Sequence, residues 1–409
     1  MLIEINNVTG LGLAVIVLIL GDWLTKRVTF LRQYDIPTPV TGGIIASILI
    51  GVLYLWDIRL QFAEELRDIL LLAFFSTIGL SARIKLLLDG GRLLLILMGL
   101  TAVFLIAQNA VGLFGAVLLN VDPLIGLLSG SITLSGGHGT GAAYAKTFYT
   151  QFGLENAMEI AMACATFGLV AAGVLGGPLA TFIIKRFKIH AEDEFQHSFA
   201  QHKPFHKRLH VDDRIDYRGI LESILMITVC IVVGRWLTWE IIVMARPYFP
   251  NFVLPQFVPC LFVGIVIINA LELWRPYQIK TKSLAICSSL SLDIFLALSL
   301  MNLKLWTLVE LAVPLLSILL TQVLLAFLFV YFIVFRASGY NYTASVISSG
   351  YIGFGLGATP TAIANMSAVT KHHGPSPKAF LVIPLIGAFF IDIANATIIQ
   401  IFLSLPFFR

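Results

Sequence analysis

Apolar runs of about twenty residues, the length that crosses a hydrocarbon core of about 30 Å, recur along the whole chain between short polar turns. They predict membrane spans near 9–31, 36–56, 68–82, 93–119 and 155–184, and a second set near 219–243, 253–274, 284–303, 307–335 and 378–404. Two stretches break this pattern inside the apolar regions. SGSITLSGGHGTGAAYA, residues 129–145, and SSGYIGFGLGATPTAIANM, residues 348–366, each lie between the fourth and fifth span of their set. Both mix glycine with hydroxyl residues, and glycine-rich backbone does not hold a helix well.

From Leu124 to Ser135 the chain has about twelve residues, roughly 18 Å of helix at 1.5 Å per residue, which reaches only the middle of a bilayer. The spacing therefore predicts a re-entrant loop over 124–148 and a matching one over 343–370. Backbone that leaves the helix at that depth must be buried in protein or line a wet cavity, because lipid satisfies neither N–H nor C=O. Thr359-Pro360-Thr361 reads as an N-cap followed by proline at the first helical position, so a returning helix is expected to start near Thr361. Gly139 and Thr140 align with Thr359 and Pro360. Helix N-termini at the midplane offer unpaired N–H donors to a carboxylate, and carbonyls freed nearby suit a sodium ion.

Composition removes the soluble alternatives. Of 409 residues 58% are hydrophobic and 12% charged, with a mean hydropathy of +0.90, so a polytopic membrane protein is expected and nucleic acid is not a partner. The opening MLIEINNVTG lacks a basic region and a small-residue cleavage site, so the first span is expected to stay in the mature protein. All four cysteines fall inside apolar spans without C-x-x-C spacing, which argues against a disulfide framework or a metal site.

Charge adds an orientation. If the N-terminus lies outside, 20 of the 27 basic residues fall on inside segments, which the positive-inside rule favours. Both termini are then outside and residues 185–218 form a cytoplasmic linker. That polar segment carries five of the eight histidines, but they are irregularly spaced among charges of both signs, and a solvated linker is the better reading than a metal site.

The two sides of the linker resemble each other. Gly21-Asp22-Trp23-Leu24-Thr25 is echoed by Gly234-Arg235-Trp236-Leu237-Thr238, Pro37, Val40 and Ala46 by Pro255, Val258 and Gly264, and Ser129-Gly130 by Ser349-Gly350. Five crossings per half send the second half into the membrane from the opposite face. The expected fold is thus an all-α polytopic membrane protein of two inverted-topology repeats, 1–184 and 219–409, each with one re-entrant glycine-rich loop. This is the pattern of a secondary transporter.

Candidate substrate contacts are Ser135, Gly136, Gly137, His138 and Thr140 in the first stretch, Gly355, Gly357, Thr359, Thr361 and Asn365 in the second, and Glu159 one turn into the fifth span. Candidate sodium contacts are Asp392 and Asn395, which share a helix face, with Asp293, Asp68, Gln108 and Asn109. A carboxylate deep in a span is costly and functional by default. Lys146 either neutralises an anionic substrate or snorkels to the surface. The packing reading of glycine suits Gly168, Gly173, Gly176 and Gly177 in the fifth span. An intramembrane hydrolase built on Ser135 and His138 lacks an oriented third group and a nucleophile elbow. A channel is the other rival, since re-entrant loops also build selectivity filters.

SGSITLSGGHGTGAAYAKTF, AMACATFGLV (161–170), GFGLGATPTAIANM (353–366) and GAFFIDIANA (387–396) closely resemble the bacterial sodium/glutamate symporters, over nearly the whole chain. The resemblance implies no enzyme and no cofactor. It implies sodium-coupled glutamate uptake at the inner membrane with Na+ as coupling ion, a homodimer in membrane lipid, and alternating access by an elevator-like movement. Carriers of another small carboxylate, such as citrate, are the alternative.

Overall fold

The computed structural model describes residues 2–29, 31, 37–56, 59–83, 91–189, 215–245, 247, 254–274, 280–301 and 311–405. Residues 190–214, most of the expected linker, lie outside the described residues. The first half contains α1 (Asn7–Arg27), α2 (Thr38–Leu55), α3 (Glu65–Ser81), α4 (Gly91–Leu118), α5 (Pro123–Leu127), α6 (Gly137–Phe152) and α7 (Ala157–Phe187). The second contains α8 (Tyr217–Ala245), α9 (Phe257–Trp274), α10 (Thr281–Met301), α11 (Ala312–Phe329), the short α12 (Phe335–Ala337), α13 (Tyr342–Leu356), α14 (Thr359–His373), α15 (Pro377–Leu385) and α16 (Ile391–Leu403). π-Helical turns at Leu128–Ile132, Val330–Val334 and Ile386–Phe390 carry the chain from α5 towards α6, from α11 to α12 and from α15 to α16.

All ten expected spans are helical within a few residues of their expected limits. Six helices among the described residues are long and apolar enough to cross a membrane. Apolar side chains point outward along them, Ile16 and Ile19 on α1, Phe114 and Leu118 on α4, Leu225 and Val232 on α8, Leu320 and Leu324 on α11. A belt of this kind has lipid for its solvent, and the chain is a multi-pass membrane protein. One small sheet accompanies the helices: β1 (Leu2–Ile5) pairs in parallel with β2 (Arg59–Phe62), Leu2 opposite Arg59 and Ile5 opposite Phe62.

Polar contacts join the ends of helices distant in sequence. Asn7 Nδ2 at the start of α1 donates to Glu65 Oε2 at the start of α3, 3.0 Å away. After the end of α3, Arg83 pairs with Glu272 near the end of α9 at 3.1 Å, and Asn269 Nδ2 donates to the Ala82 carbonyl at 2.9 Å. At the starts of α8 and α10, Lys280 Nζ lies 2.6 Å from Asp216 Oδ2, and this hydrogen bond holds the Asp216 carboxyl below the usual carboxylate range.

Packing sorts the helices into two bodies. In the first, α3 packs on α9 and α10, α1 on α2, α2 on α10, and α8 on α9. Small residues allow this closeness: a Cβ at Gly79 would strike the Leu261 carbonyl of α9, and one at Gly43 would strike Leu300 of α10. The second body gathers α4 to α7 with α11 to α16, the main contacts being α13 on α7, α13 on α14 and α6 on α7. Between the bodies the most extensive contacts are α6 with α10 and α3 with the Ile386–Phe390 turn.

Within α7 the glycines differ. A Cβ at Gly168 would meet the Leu356 carbonyl, and one at Gly176 would meet the Asn365 amide, so both permit close packing. Gly177 faces open space, and the packing expected there is not found. Gly168→Ala is therefore expected to destabilise the purified protein, by about 1–3 kcal/mol if the core must shift to accept the methyl. Gly177→Ala is expected to leave stability unchanged or to raise it by up to about 1 kcal/mol through helix propensity. Thermal unfolding in detergent compares them, and equal effects would discount the Gly168 contact.

Candidate functional site

Each glycine stretch is a helix that stops and restarts. In the first, α5 passes into the π-turn, where Gly130 leaves helical geometry at φ −96°, ψ −139°, and α6 begins at Gly137 with Gly136 as its cap. Gly137 has φ +68°, left-handed backbone that glycine tolerates best. The restart comes about three residues earlier than the alignment of Gly139 and Thr140 with Thr359 and Pro360 suggests. In the second, α13 ends at Leu356 and α14 starts at Thr359 after extended Ala358 (φ −155°, ψ 164°). Thr359 is thus the first helical residue and not the N-cap. Its hydroxyl donates instead to the Gly387 carbonyl, 2.6 Å away, tying α14 to the α15–α16 turn. Neither α6 nor α14 has a side-chain cap, so the N–H groups of both first turns stay unclaimed by capping side chains.

The two breaks meet. Ser135 Oγ lies 2.6 Å from Gln108 Oε1 and 2.9 Å from the Gly355 carbonyl, which also accepts from Gln108 Nε2 at 2.9 Å. A Cβ on Gly137 would point at the Gly357 carbonyl 3.7 Å away. Between the restarting helices lies a cavity of about 310 Å³, a size suited to a small solute. The second body contributes Ser135 to Gly139, Gly357 to Thr361, Gly387 and Asp392, while the first body contributes Phe74, Leu292, Asp293 and Leu296.

Nine of the seventeen candidates line this cavity: Ser135, Gly136, Gly137, His138, Gly357, Thr359, Thr361, Asp293 and Asp392. His138 is buried with Nε2 3.1 Å from Thr166 Oγ1. Thr361 Oγ1 has no hydrogen-bond partner among the described residues. Asp293 and Asp392, on different bodies, bring two carboxylates to opposite contributions of the wall. The cavity thus offers backbone donors for anionic groups and carboxylates for cationic ones, a set matched to a zwitterionic solute or to an anion travelling with a cation.

Other candidates lie behind or away from the wall. Gln108 and Asn109 are fully buried on α4 and brace the breaks: Asn109 Oδ1 accepts from Ser131 N at 3.0 Å. Asn395 Nδ2 donates to the Ser131 carbonyl at 2.9 Å. Asn365 Nδ2 donates to the Ala172 carbonyl at 3.0 Å. Gly355 acts through its carbonyl, and Thr140 and Glu159 are buried off the wall. Asp68 is elsewhere, ion-paired with Lys146 beside a second cavity of about 340 Å³ that Arg235 and Gln256 also line. Lys146 has a carboxylate partner on the other body and is not aimed at the first cavity. The apolar wall of Phe74, Leu169, Leu292 and Leu296 carried no sequence signal, since nothing distinguishes these residues from other span residues.

Comparison with known proteins adds identity to geometry. Residues 3–375 match the family model described as sodium/glutamate symporter. The chain is 44% identical over 410 residues to the sodium/glutamate symporter of Escherichia coli (strain K12), covering 99% of each. It is 43% identical over 398 residues to that of Haemophilus influenzae (strain ATCC 51907 / DSM 11121 / KW20 / Rd), covering 96% of this chain and 95% of the relative.

Backbone geometry should matter more here than single hydroxyls. Gly137→Val forces a β-branched residue to φ +68°, and Gly357→Val drives a Cβ to 2.9 Å from the Gly353 carbonyl and 3.1 Å from Ala172. Both are expected to abolish sodium-dependent uptake of labelled glutamate, the solute the resemblance implies, at normal amounts of inserted protein. Ser135→Ala removes neutral hydrogen bonds worth about 0.5–1.5 kcal/mol each and should weaken half-saturation by roughly tenfold or less. Near-normal uptake by both glycine variants with none by Ser135→Ala would assign the site to side chains.

Proposed function

This chain belongs to the sodium/glutamate symporter family, and on that premise we propose that it is a secondary active transporter that carries glutamate with sodium across the bacterial inner membrane. The observation that carries the reading is the meeting of two uncapped helix N-termini at one cavity between two bodies. Glutamate brings two carboxylates and one ammonium. The N–H groups opening α6 and α14 take the carboxylates, and Asp293 and Asp392 answer the positive charges of the ammonium and of sodium.

We read the halves 1–184 and 219–409 as inverted repeats joined by a cytoplasmic linker at 185–218, with both termini periplasmic. Contacts support it with the halves exchanged: α1 on α2 is matched by α8 on α9, α2 on α10 by α9 on α3, and α1 on α10 by α8 on α3. The breaks at 124–148 and 343–370 are then the two re-entrant loops, entering from opposite faces. A homodimer held in lipid by the first body leaves the second body, which owns both breaks, as the element that moves in alternating access of the elevator kind. The sparse contact between the bodies, relative to the packing within each, supports that division.

Two experiments test this reading. Proteoliposomes with sodium imposed outside are expected to accumulate glutamate to saturation, and potassium should not substitute. Accumulation that follows a proton gradient and ignores sodium, or ion current without solute, would sink the symport reading. For the movement, cysteines replacing Asp68 and Lys146 in a background without the four native cysteines tether α3 to α6 across the bodies. Cross-linking with a short cleavable reagent is expected to arrest uptake and cleavage to restore it, judged against the same variant before cross-linking. Undiminished uptake with the cross-link complete would show that the bodies need not move.

A further inference from the structure

Behind the cavity wall three side-chain oxygens converge on too few protons. Ser131 Oγ lies 2.8 Å from Asn109 Oδ1 and 2.5 Å from Asn395 Oδ1. Other bonds favour these amide orientations: Asn109 Oδ1 also accepts from Ser131 N at 3.0 Å, and Asn395 Nδ2 donates to the Ser131 carbonyl at 2.9 Å, while Asn109 Nδ2 has no partner among the described residues. Ser131 therefore has a single hydroxyl proton to share between two carbonyl-type oxygens, and one close oxygen pair is left without hydrogen between them. All three residues are 0% exposed and none lines either cavity described above. Ser135 also touches two acceptors, but it faces the solute cavity, where a donor can reach it.

From this convergence we infer that Asn109, Ser131 and Asn395 form a binding site for the coupling sodium ion, a deeper statement of the symport reading on which it rests. Neutral oxygen ligands suit a hard, singly charged cation. The group stands where Gly130 opens the helix, and a Cβ at Gly130 would come within 2.8 Å of Asn109 Oδ1. Glycine there leaves the amide its place. Asn395 lies one helical turn after Asp392, so a single stretch of α16 links the ion group to the solute cavity and sets a carboxylate near the cation.

The second glycine stretch supplies an internal control. By the Ser129-Gly130 and Ser349-Gly350 correspondence, Ser131 matches Tyr351. Gln108 and Gln322 occupy like positions and each donates its amide N–H to a backbone carbonyl, Gly355 or Gln108. The residue after Gln108 is Asn109, and the residue after Gln322 is Val323. The second stretch thus puts a bulky phenol where the first puts the small hydroxyl that meets Asn109 and Asn395.

The test measures the sodium dependence of glutamate uptake in proteoliposomes at saturating glutamate, and the sodium-dependent rise in Tm of the purified carrier without glutamate. Ser131→Ala and Ser131→Cys both remove the hard oxygen, the second with little change of volume. Each is expected to raise the sodium needed for half-maximal effect in both assays by roughly tenfold or more, the loss of one charge-assisted contact. Ser129→Ala deletes a neighbouring buried hydroxyl whose bonds go only to the Ile125 and Gly126 carbonyls, and should leave sodium dependence as in the unmodified protein. Sodium-driven uptake with an unaltered sodium requirement in both Ser131 variants overturns the ion site and leaves symport standing. An equal shift in Ser129→Ala overturns it too, since the effect would then be general to the break. Uptake by the unmodified carrier that needs no sodium removes the symport reading itself, and the site with it.

Discussion

Backbone N–H and C=O groups set free inside a membrane have no water to turn to, and each costs several kcal/mol if unpaired. The second body is organised around that requirement. It breaks two helices and then finds partners for the groups released. The Gly355 carbonyl receives Gln108 Nε2 and Ser135 Oγ, the Leu128 carbonyl receives Thr133 Oγ1, and Ser131 N reaches Asn109 Oδ1. Ala358 N returns to the Gly353 carbonyl and Gly136 N to the Ser131 carbonyl. The first turns of α6 and α14, which no side chain caps, face the cavity. The N–H donors proposed above for anionic groups thus lie where no capping side chain competes for them.

The partners come largely from one helix. Gln108 and Asn109 are adjacent on α4; Gln108 joins the two breaks through Ser135 and the Gly355 carbonyl, and Asn109 serves the first. α11 closes the pattern, with Gln322 Nε2 donating to the Gln108 carbonyl at 2.7 Å. Because each brace runs between elements distant in sequence, either break depends on the whole second body for its geometry. The body is held as a unit by the same bonds that shape the site.

The spans were legible because hydropathy and length follow from the solvent, and lipid imposes one rule on every crossing. The breaks were legible for a similar reason, since glycine and hydroxyl residues are costly to place in a span without purpose. Side-chain roles followed tertiary neighbours and were less readable. Asp68 and Asp293 looked alike as acids beside apolar runs, yet α3 sets Asp68 against Lys146 while α10 sets Asp293 on the cavity wall. Thr359-Pro360 has the chemistry of a capped start, but the Gly387 carbonyl lies close enough to take the threonine hydroxyl, and extended Ala358 enters the helix in its place. The β1–β2 pair was missed, although LIEI and RLQF both alternate, because strands of four residues stand out poorly beside spans of twenty. Ser131 was passed over as one serine among several, for only the approach of Asn395 from α16 distinguishes it.

Ownership of the cavity bears on how a carrier of this design moves its cargo. The N–H donors of both breaks and Asp392 belong to the second body, whereas the first body presents Phe74, Leu292 and Leu296 with one carboxylate, Asp293. On the elevator-like reading proposed above, a solute gripped by these donors travels with the second body and meets in the first an apolar wall with the carboxylate of Asp293. Apolar surfaces slide with little directional preference, while a hydrogen-bonded wall would have to break and remake its bonds at each step. The stripe of α6 that faces the first body fits this division. Gly139 meets Phe74, Ala143 lines the second cavity, and the charge on Lys146 comes two turns later, opposite Asp68. On that reading the Asp68–Lys146 contact between the bodies stands away from the solute cavity, and Asp293 is the charged side chain that the first body turns to the solute.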